Sequence, residues 1–147
     1  MDATLFVYGT LRTPMVGFEV DTANHAHIEE HVLSSRPGLL HDAELFSFVH
    51  YPGIFPGVGT VIGEVFELTQ EGLEICDGIE SHPGFYQRRR TSVEVDGELT
   101  EVWVYWAPQN MSEAGRRIDS GDWFNRDRSL HDGRTLDQAL AEDREKH

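Results

Sequence analysis

A chain of 147 residues, 39% hydrophobic and 10% aromatic, suffices for one core and is short for two, so a single domain over residues 1–147 is expected. Its net charge of -14 disfavours nucleic acid and anionic membrane as partners. No apolar run approaches the roughly 18 residues that span a bilayer, and Cys76, the only cysteine, excludes an internal disulfide and any CxxC site.

The first residues, MDATLF, carry an acid and no basic region, so no signal peptide is expected and the cytoplasm is the expected location. The acids are spread along the whole chain, which favours a generally acidic surface over a patch that attracts a cationic substrate.

In chain order, Thr4–Tyr8 reads as a buried strand that ends on Gly9. Residues 19–34 are expected to be helical. Ala43–Val49 and Thr60–Leu68 (TVIGEVFEL) read as strands. Thr69–Ile79 reads as a helix with a threonine cap and apolar positions at Leu73, Cys76 and Ile79. In SVEVDGELTEVWVYW, Asp96-Gly97 suits a tight hairpin turn, pairing about Arg88–Val95 with Leu99–Trp106. In the second arm Val102, Val104 and Trp106 point one way, and Trp103 and Tyr105 the other. Both faces are apolar or aromatic, as in a barrel or a covered sheet. Thr135–Arg144 has a capping-box start, Thr135 with Gln138, and reads as a C-terminal helix. Strands outnumber helices without regular alternation, so an α+β domain with a curled or closed sheet is expected.

Two places carry chemistry. One is the turn after the first strand, YGTLR. The other is CDGIESHPGFYQRRR, where a helix ends near Glu80 and a strand begins at Tyr86. A carboxylate at an element boundary is usually a solvated helix end, and Asp77 reads as a solvated acid or a local hydrogen-bonding partner.

The chain as a whole resembles the γ-glutamylcyclotransferase superfamily, in its short bacterial, AIG2-like branch. The matching pieces, in the family's order, are FVYGTLR (6–12), HYPGIFPG (50–57), GEVFEL (63–68), CDGIE (76–80), FYQRR (85–89), VWVY (102–105) and SGDW (120–123). Each alone is a weak match; together they span about residues 4–125. The resemblance implies a small mixed β-barrel packed with helices, no metal and no organic cofactor. It implies that Tyr8, Gly9, Thr10 and Leu11 hold the γ-glutamyl part of a small-molecule substrate through backbone N–H groups. A glycine permits close approach, and successive N–H groups in a turn form an anion-binding concavity. Glu80 matches the catalytic carboxylate, with Tyr86 and Tyr105 as further cavity residues. The implied reaction is attack of the substrate's α-amine on its own γ-carbonyl, giving 5-oxoproline and a free amine. Two departures stand out: Cys76 where the family often has leucine, and Ser81 in place of a common glycine.

Other signals are weaker. His25, His27 and His31 with Glu29 and Glu30 resemble a metal cluster, but a polar segment with exposed histidines is the commoner arrangement. GVGTVIG (57–63) has the wrong spacing for a dinucleotide loop. Arg88-Arg89-Arg90 reads as solvated or ion-paired strand residues, with Arg88 near enough to assist the site. Cys76 shares a helix face with Leu73 and Ile79, so a core thiol is expected rather than a nucleophile. Two rivals to the cyclotransferase reading are a non-catalytic binding or regulatory protein on the same fold, and a different amide cleavage or acyl transfer on it. The leaving amine and the oligomeric state are not readable from the sequence.

Overall fold

The computed structural model describes residues 2–48 and 51–131. Its strands are β1 (Asp2–Val7), β2 (Val32–Phe48), β3 (Tyr51–Thr69), β4 (Gln87–Val95), β5 (Glu98–Trp106) and β6 (Arg116–Arg117), with a helix, α1 (Gln70–Ile79), between β3 and β4. The segment Thr135–Arg144, expected as a helix, lies outside the described residues.

The sheet runs β3-β1-β5-β4-β2-β6, and β3 also pairs with β2, so its pairings return on themselves. The closing β2–β4 contact is one bridge, Leu39 opposite Glu94, against a long antiparallel ladder between β2 and β3. β1 lies parallel to β5 and every other pairing is antiparallel. The result is a mixed, strongly curled α+β sheet, as expected from the strand-rich sequence.

Period-two alternation sorts the apolar side chains into two cores. Phe6, Val102, Val104 and Trp106 join Leu40, Val61 and Val93 in a core shared among the strands. Leu5, Val7 and Tyr105 join Phe66, Leu68 and Cys76 in a second core, which α1 covers. β5 is thus apolar on both faces because both are buried. The β4–β5 hairpin turns on Asp96 and Gly97 at φ of 52° and 80°, the left-handed pair that a two-residue turn requires.

Residues 19–34 are not one helix. They form three 3₁₀ turns, Val20–Thr22, His25–His27 and Glu29–His31, before β2 begins at Val32. The buried residues Thr22, His25 and Ile28 recur every third position, which matches three residues per turn and not 3.6. β3 also begins earlier than the apolar run suggests. It carries Pro52 opposite Ser47 of β2 and Pro56 opposite Ala43, the latter next to a register shift between His41 and Ala43 where Asp42 takes a φ of 59°. A bulge is where a ladder tolerates a proline's missing N–H. Among the described residues no helix is long and apolar enough to cross a membrane.

Candidate active site

Segments far apart in the chain line a cavity of about 330 Å³. The turn after β1 contributes Tyr8, Gly9, Thr10 and Leu11. The end of α1 contributes Ile79, Glu80 and Ser81, and the segments around Phe85-Tyr86, Tyr105 and Tyr51-Pro52 close the sides. Every candidate site residue named from the sequence therefore borders one cavity.

The turn is held from behind. Arg12 N–H donates to Gly9 O at 3.0 Å, and Asn24 donates to Thr10 twice, from its backbone N–H to O at 3.1 Å and from Nδ2 to Oγ1 at 2.7 Å. Gly9 presses on Pro52 so closely that a Cβ there would collide with the proline ring. Among the described residues, the N–H groups of Gly9, Thr10 and Leu11 donate to no protein acceptor. Three successive free donors bordering a cavity form an anion-binding turn.

Arg12 clamps the same turn electrostatically. Its Nε donates to Glu64 Oε2 at 3.1 Å and its Nη1 to Asp122 Oδ1 at 3.0 Å, and its guanidinium lies 3.9 Å from the Phe124 ring centre. Asp122 is the acid of the SGDW segment, and its other bonds cap the following turn at Phe124 and Asn125.

Glu80 sits where α1 stops. Thr69 caps the start of the helix by accepting from Gly72 N–H at 3.0 Å, and at the far end Glu80 N–H donates to Cys76 O at 2.9 Å. The chain then reverses through Ser81 at φ 54°, a left-handed conformation in which glycine carries no steric penalty. As a residue Glu80 is partly buried, yet its carboxyl is withdrawn from water and makes no hydrogen bond or ion pair among the described residues. Burial pushes it up to about 7. An unpaired carboxylate resists ionisation in such a place, and the negative end of the helix dipole acts in the same direction. Its charge is felt by Tyr8, Tyr86, Tyr105 and Cys76.

The three tyrosines are anchored by their hydroxyls. Tyr8 donates to Tyr105 O at 2.7 Å, Tyr86 to Pro52 O at 2.7 Å, and Tyr105 to Asp77 Oδ1 at 2.6 Å. Burial, aided by nearby negative charge, raises all three phenols well above their usual range, so they stay neutral. Asp77 is engaged by Arg88 through Nε at 2.8 Å and Nη2 at 3.2 Å, making it the local hydrogen-bonding partner expected. Cys76 is fully buried, and burial first, then the nearby acids, push its thiol up to about 12, which suits a core residue and not a nucleophile.

Asn24, Tyr51, Ile79, Pro52 and Phe85 also border the cavity without having been singled out for it. Tyr51 and Pro52 stood inside the quoted segment HYPGIFPG, Ile79 inside CDGIE and Phe85 inside FYQRR. Asn24 carried no signal, because its partner Thr10 is brought to it only by the 3₁₀ turns. Among the described residues no group of three or more histidines, cysteines or acids is placed to hold a metal.

With this geometry the comparisons with known proteins agree. The profile of the family described as gamma-glutamyl cyclotransferase, AIG2-like, matches residues 5–125. The chain is 31% identical over 123 residues to the gamma-glutamylcyclotransferase family protein ytfP of Citrobacter rodentium, covering 84% of this chain and 96% of that one. It is 33% identical over 115 residues to a gamma-glutamylaminecyclotransferase of Bos taurus, covering 70% and 64% respectively. The crystal structure of an AIG2-like protein from Mus musculus superposes with a TM-score of 0.56 at 26% identity, over 72% of this chain and 77% of that one. The chain belongs to the AIG2-like γ-glutamylcyclotransferase family.

Proposed function

We propose that the protein is a γ-glutamylcyclotransferase-like enzyme, converting a γ-glutamyl amine or γ-glutamyl amino acid to 5-oxoproline with release of the free amine, and that Glu80 is its acid–base group. One observation carries the reading: a carboxylate poised near neutrality borders the same cavity as the free N–H groups of Gly9, Thr10 and Leu11.

The nucleophile belongs to the substrate, so the protein's task is to fold the glutamyl chain and exclude water. The α-nitrogen attacks the γ-carbonyl carbon, the new C–N bond closes a five-membered ring, and the original C–N bond breaks. The attacking nitrogen starts as an ammonium and ends as a lactam N–H, losing two protons. The leaving nitrogen starts as an amide N–H and departs as an ammonium, gaining two. No water is consumed. A carboxyl near pH 7 takes a proton and gives it back with little penalty, an effect worth about 10²–10⁴-fold. The turn's N–H groups hold the α-carboxylate or the oxygen that gains charge during attack, and Tyr8, Tyr86 and Tyr105 form walls.

The test is 5-oxoproline release from a panel of γ-glutamyl amines and amino acids by wild type and Glu80→Gln. Release by wild type and at least a hundredfold loss in the variant is expected. Glutamate as the product would point to a hydrolase, and equal rates in both proteins would remove Glu80 from the chemistry.

A further inference from the structure

Each peptide unit of the turn after β1 is fixed by a donor on its carbonyl side. Gly9 O accepts from Arg12 N–H at 3.0 Å, Thr10 O from Asn24 N–H at 3.1 Å, and Leu11 O from His25 Nδ1 at 2.9 Å. A trans peptide carries its C=O and N–H on opposite sides of one plane. Holding the Gly9 and Thr10 carbonyls back therefore turns the N–H groups of Thr10 and Leu11 the other way, and both residues border the cavity. The third unit joins Leu11 to Arg12, and its N–H is the one that closes the turn on Gly9 O. By holding Leu11 O, His25 fixes the unit on which the orientation of the first one depends.

The bond has one polarity. A carbonyl oxygen only accepts, so the hydrogen sits on Nδ1. The His25 ring is buried and meets Phe66 edge-on at 5.6 Å, which leaves it little room to turn away. His27, by contrast, is exposed and His31 only partly buried, so one histidine of the three has been drawn into the protein. The backbone that carries it is anchored in turn. Asp21 O accepts from Trp123 Nε1 at 3.2 Å, and the Asp21 carboxylate accepts from Arg126 Nη2 at 2.6 Å. Leu11 is buried as well, so without His25 its carbonyl would be left unsatisfied, a costly state. Rotation of the Leu11–Arg12 unit would relieve it, but would break the bond from Arg12 N–H to Gly9 O. The Gly9–Thr10 unit could then turn its carbonyl toward the cavity, where it would repel an anion.

We propose that His25 is a positioning residue of the active site: through its hydrogen bond to Leu11 O it keeps the N–H groups of Thr10 and Leu11 directed at the substrate. This rests on the cyclotransferase reading above and adds a residue that borders no part of the cavity but sets the direction of its donors.

The test measures kcat and KM separately for 5-oxoproline release by the full chain, using the best substrate of the panel above, with γ-glutamyl-L-alanine and γ-glutamyl-n-butylamine among its members. His25→Phe keeps a ring against Phe66 and removes the donor. KM is expected to rise at least tenfold, with a smaller fall in kcat. A merely structural role would reduce the amount of folded enzyme, lowering apparent kcat and leaving KM where it was. His25→Asn sets an amide N–H as many bonds from Cα as Nδ1, and is expected to bring KM down to a third or less of the Phe variant's value. His25→Gln carries its amide one bond further out and should resemble Phe, and it repeats the test should the Phe variant fold poorly. An unchanged KM in the folded Phe or Gln variant would overturn the inference while wild-type activity upholds the cyclotransferase reading. An Asn variant as impaired as the Phe variant would overturn the role of the Nδ1 donor. No 5-oxoproline from wild type with any member of the panel would remove the cyclotransferase reading, and this inference with it.

Discussion

The Tyr105 hydroxyl donates to Asp77 Oδ1 over 2.6 Å, tying β5 to the last turn of α1 three residues before Glu80. The Tyr105 carbonyl accepts from Tyr8 at 2.7 Å, so one residue links the helix that presents the carboxylate to the turn that carries the free N–H groups. Asp77 is in turn held by Arg88, with both side chains about four-fifths buried.

Weakening this link from the Asp77 side should cost more stability than removing the Tyr105 hydroxyl. Asp77→Asn retains one acceptor for Tyr105 but leaves the Arg88 guanidinium without a charged partner. Loss of a hydrogen bond to a charged group typically costs about 1.5–3 kcal/mol, against about 0.5–1.5 kcal/mol for a neutral one. Urea unfolding should therefore rank Asp77→Asn as more damaging than Tyr105→Phe. In the double variant the two losses should fall short of their sum, because Asp77→Asn already weakens to a neutral bond the one that Tyr105→Phe removes. Strict additivity would show that the two residues act separately.

The raised Glu80 carboxyl has a defined effect on stability. Its ordinary value is 4.5 and burial lifts it to about 7, so between these pH values the folded chain binds more protons than the unfolded one. Stability from this group is greatest below pH 4.5 and declines as the pH rises through 7. At 1.36 kcal/mol per pH unit of difference, the decline amounts to about 3 kcal/mol. Glu80→Gln abolishes it. The variant should gain on wild type by up to about 3 kcal/mol between pH 4 and pH 8 in chemical denaturation, and a difference that stays flat with pH would contradict the burial. The same titration should place a limb near pH 7 in the rate profile of the wild type.

How far the sequence revealed this arrangement depended on whether the interactions are local. The hairpin at Asp96-Gly97, the Thr69 cap and the two-faced strand β5 are short-range consequences of residue type, and all three were legible. The quoted motifs span about residues 4–125, and the family profile matches residues 5–125, so the resemblance covered the ground that the comparisons cover. Residues 19–34 misled because their composition suits a helix, while burial at every third position is imposed by the turn they support. The clamp on Arg12 was invisible for a different reason. Arg12 and Asp122 lie 110 positions apart and meet only when β1 and the segment after β6 fold against one sheet. Asn24 likewise reaches the cavity only because the 3₁₀ turns bring it to Thr10.

Gly9 admits little substitution. Its missing Cβ is replaced by the Pro52 ring, so Gly9→Ala must displace either the turn or β3. Overpacking of this kind costs about 1–3 kcal/mol. Function should suffer more than stability, because the displaced segment carries the donors. KM for a productive substrate is expected to rise at least tenfold, with a folded protein by circular dichroism. An unchanged KM would show that the turn does not hold the substrate.

Ser81 offers the opposite case. At φ 54° it adopts a conformation that disfavours L-residues by about 1–2 kcal/mol. Ser81→Gly removes this strain but makes the unfolded chain more flexible, which offsets about 0.4–1 kcal/mol. A net gain of about 0.5–1 kcal/mol is expected in chemical denaturation, with Ser81→Ala at or below wild type. A loss of stability on Ser81→Gly would mean that the serine side chain contributes something that outweighs its strained backbone.

Arg12 supports the site without bordering the cavity. It is the residue through which Glu64 on β3 and Asp122 after β6 grip the turn that begins at Gly9, with all three side chains 12–16% exposed. Asp122→Asn keeps an acceptor for the Arg12 and Phe124 donors while removing the charge, whereas Asp122→Ala also removes the cap on Phe124 N–H. Stability should fall in the order wild type, Asn, Ala, with Ala down by about 2–4 kcal/mol, the sum of a lost charged hydrogen bond and a lost cap. If the turn holds substrate, KM should rise in the same order while the rate limb near pH 7 stays in place, because Asp122 acts on the binding turn and leaves the surroundings of Glu80 unchanged. Movement of that limb in Asp122→Asn would show that the charges around Arg12 reach the carboxylate, and would make the turn and Glu80 one electrostatic unit.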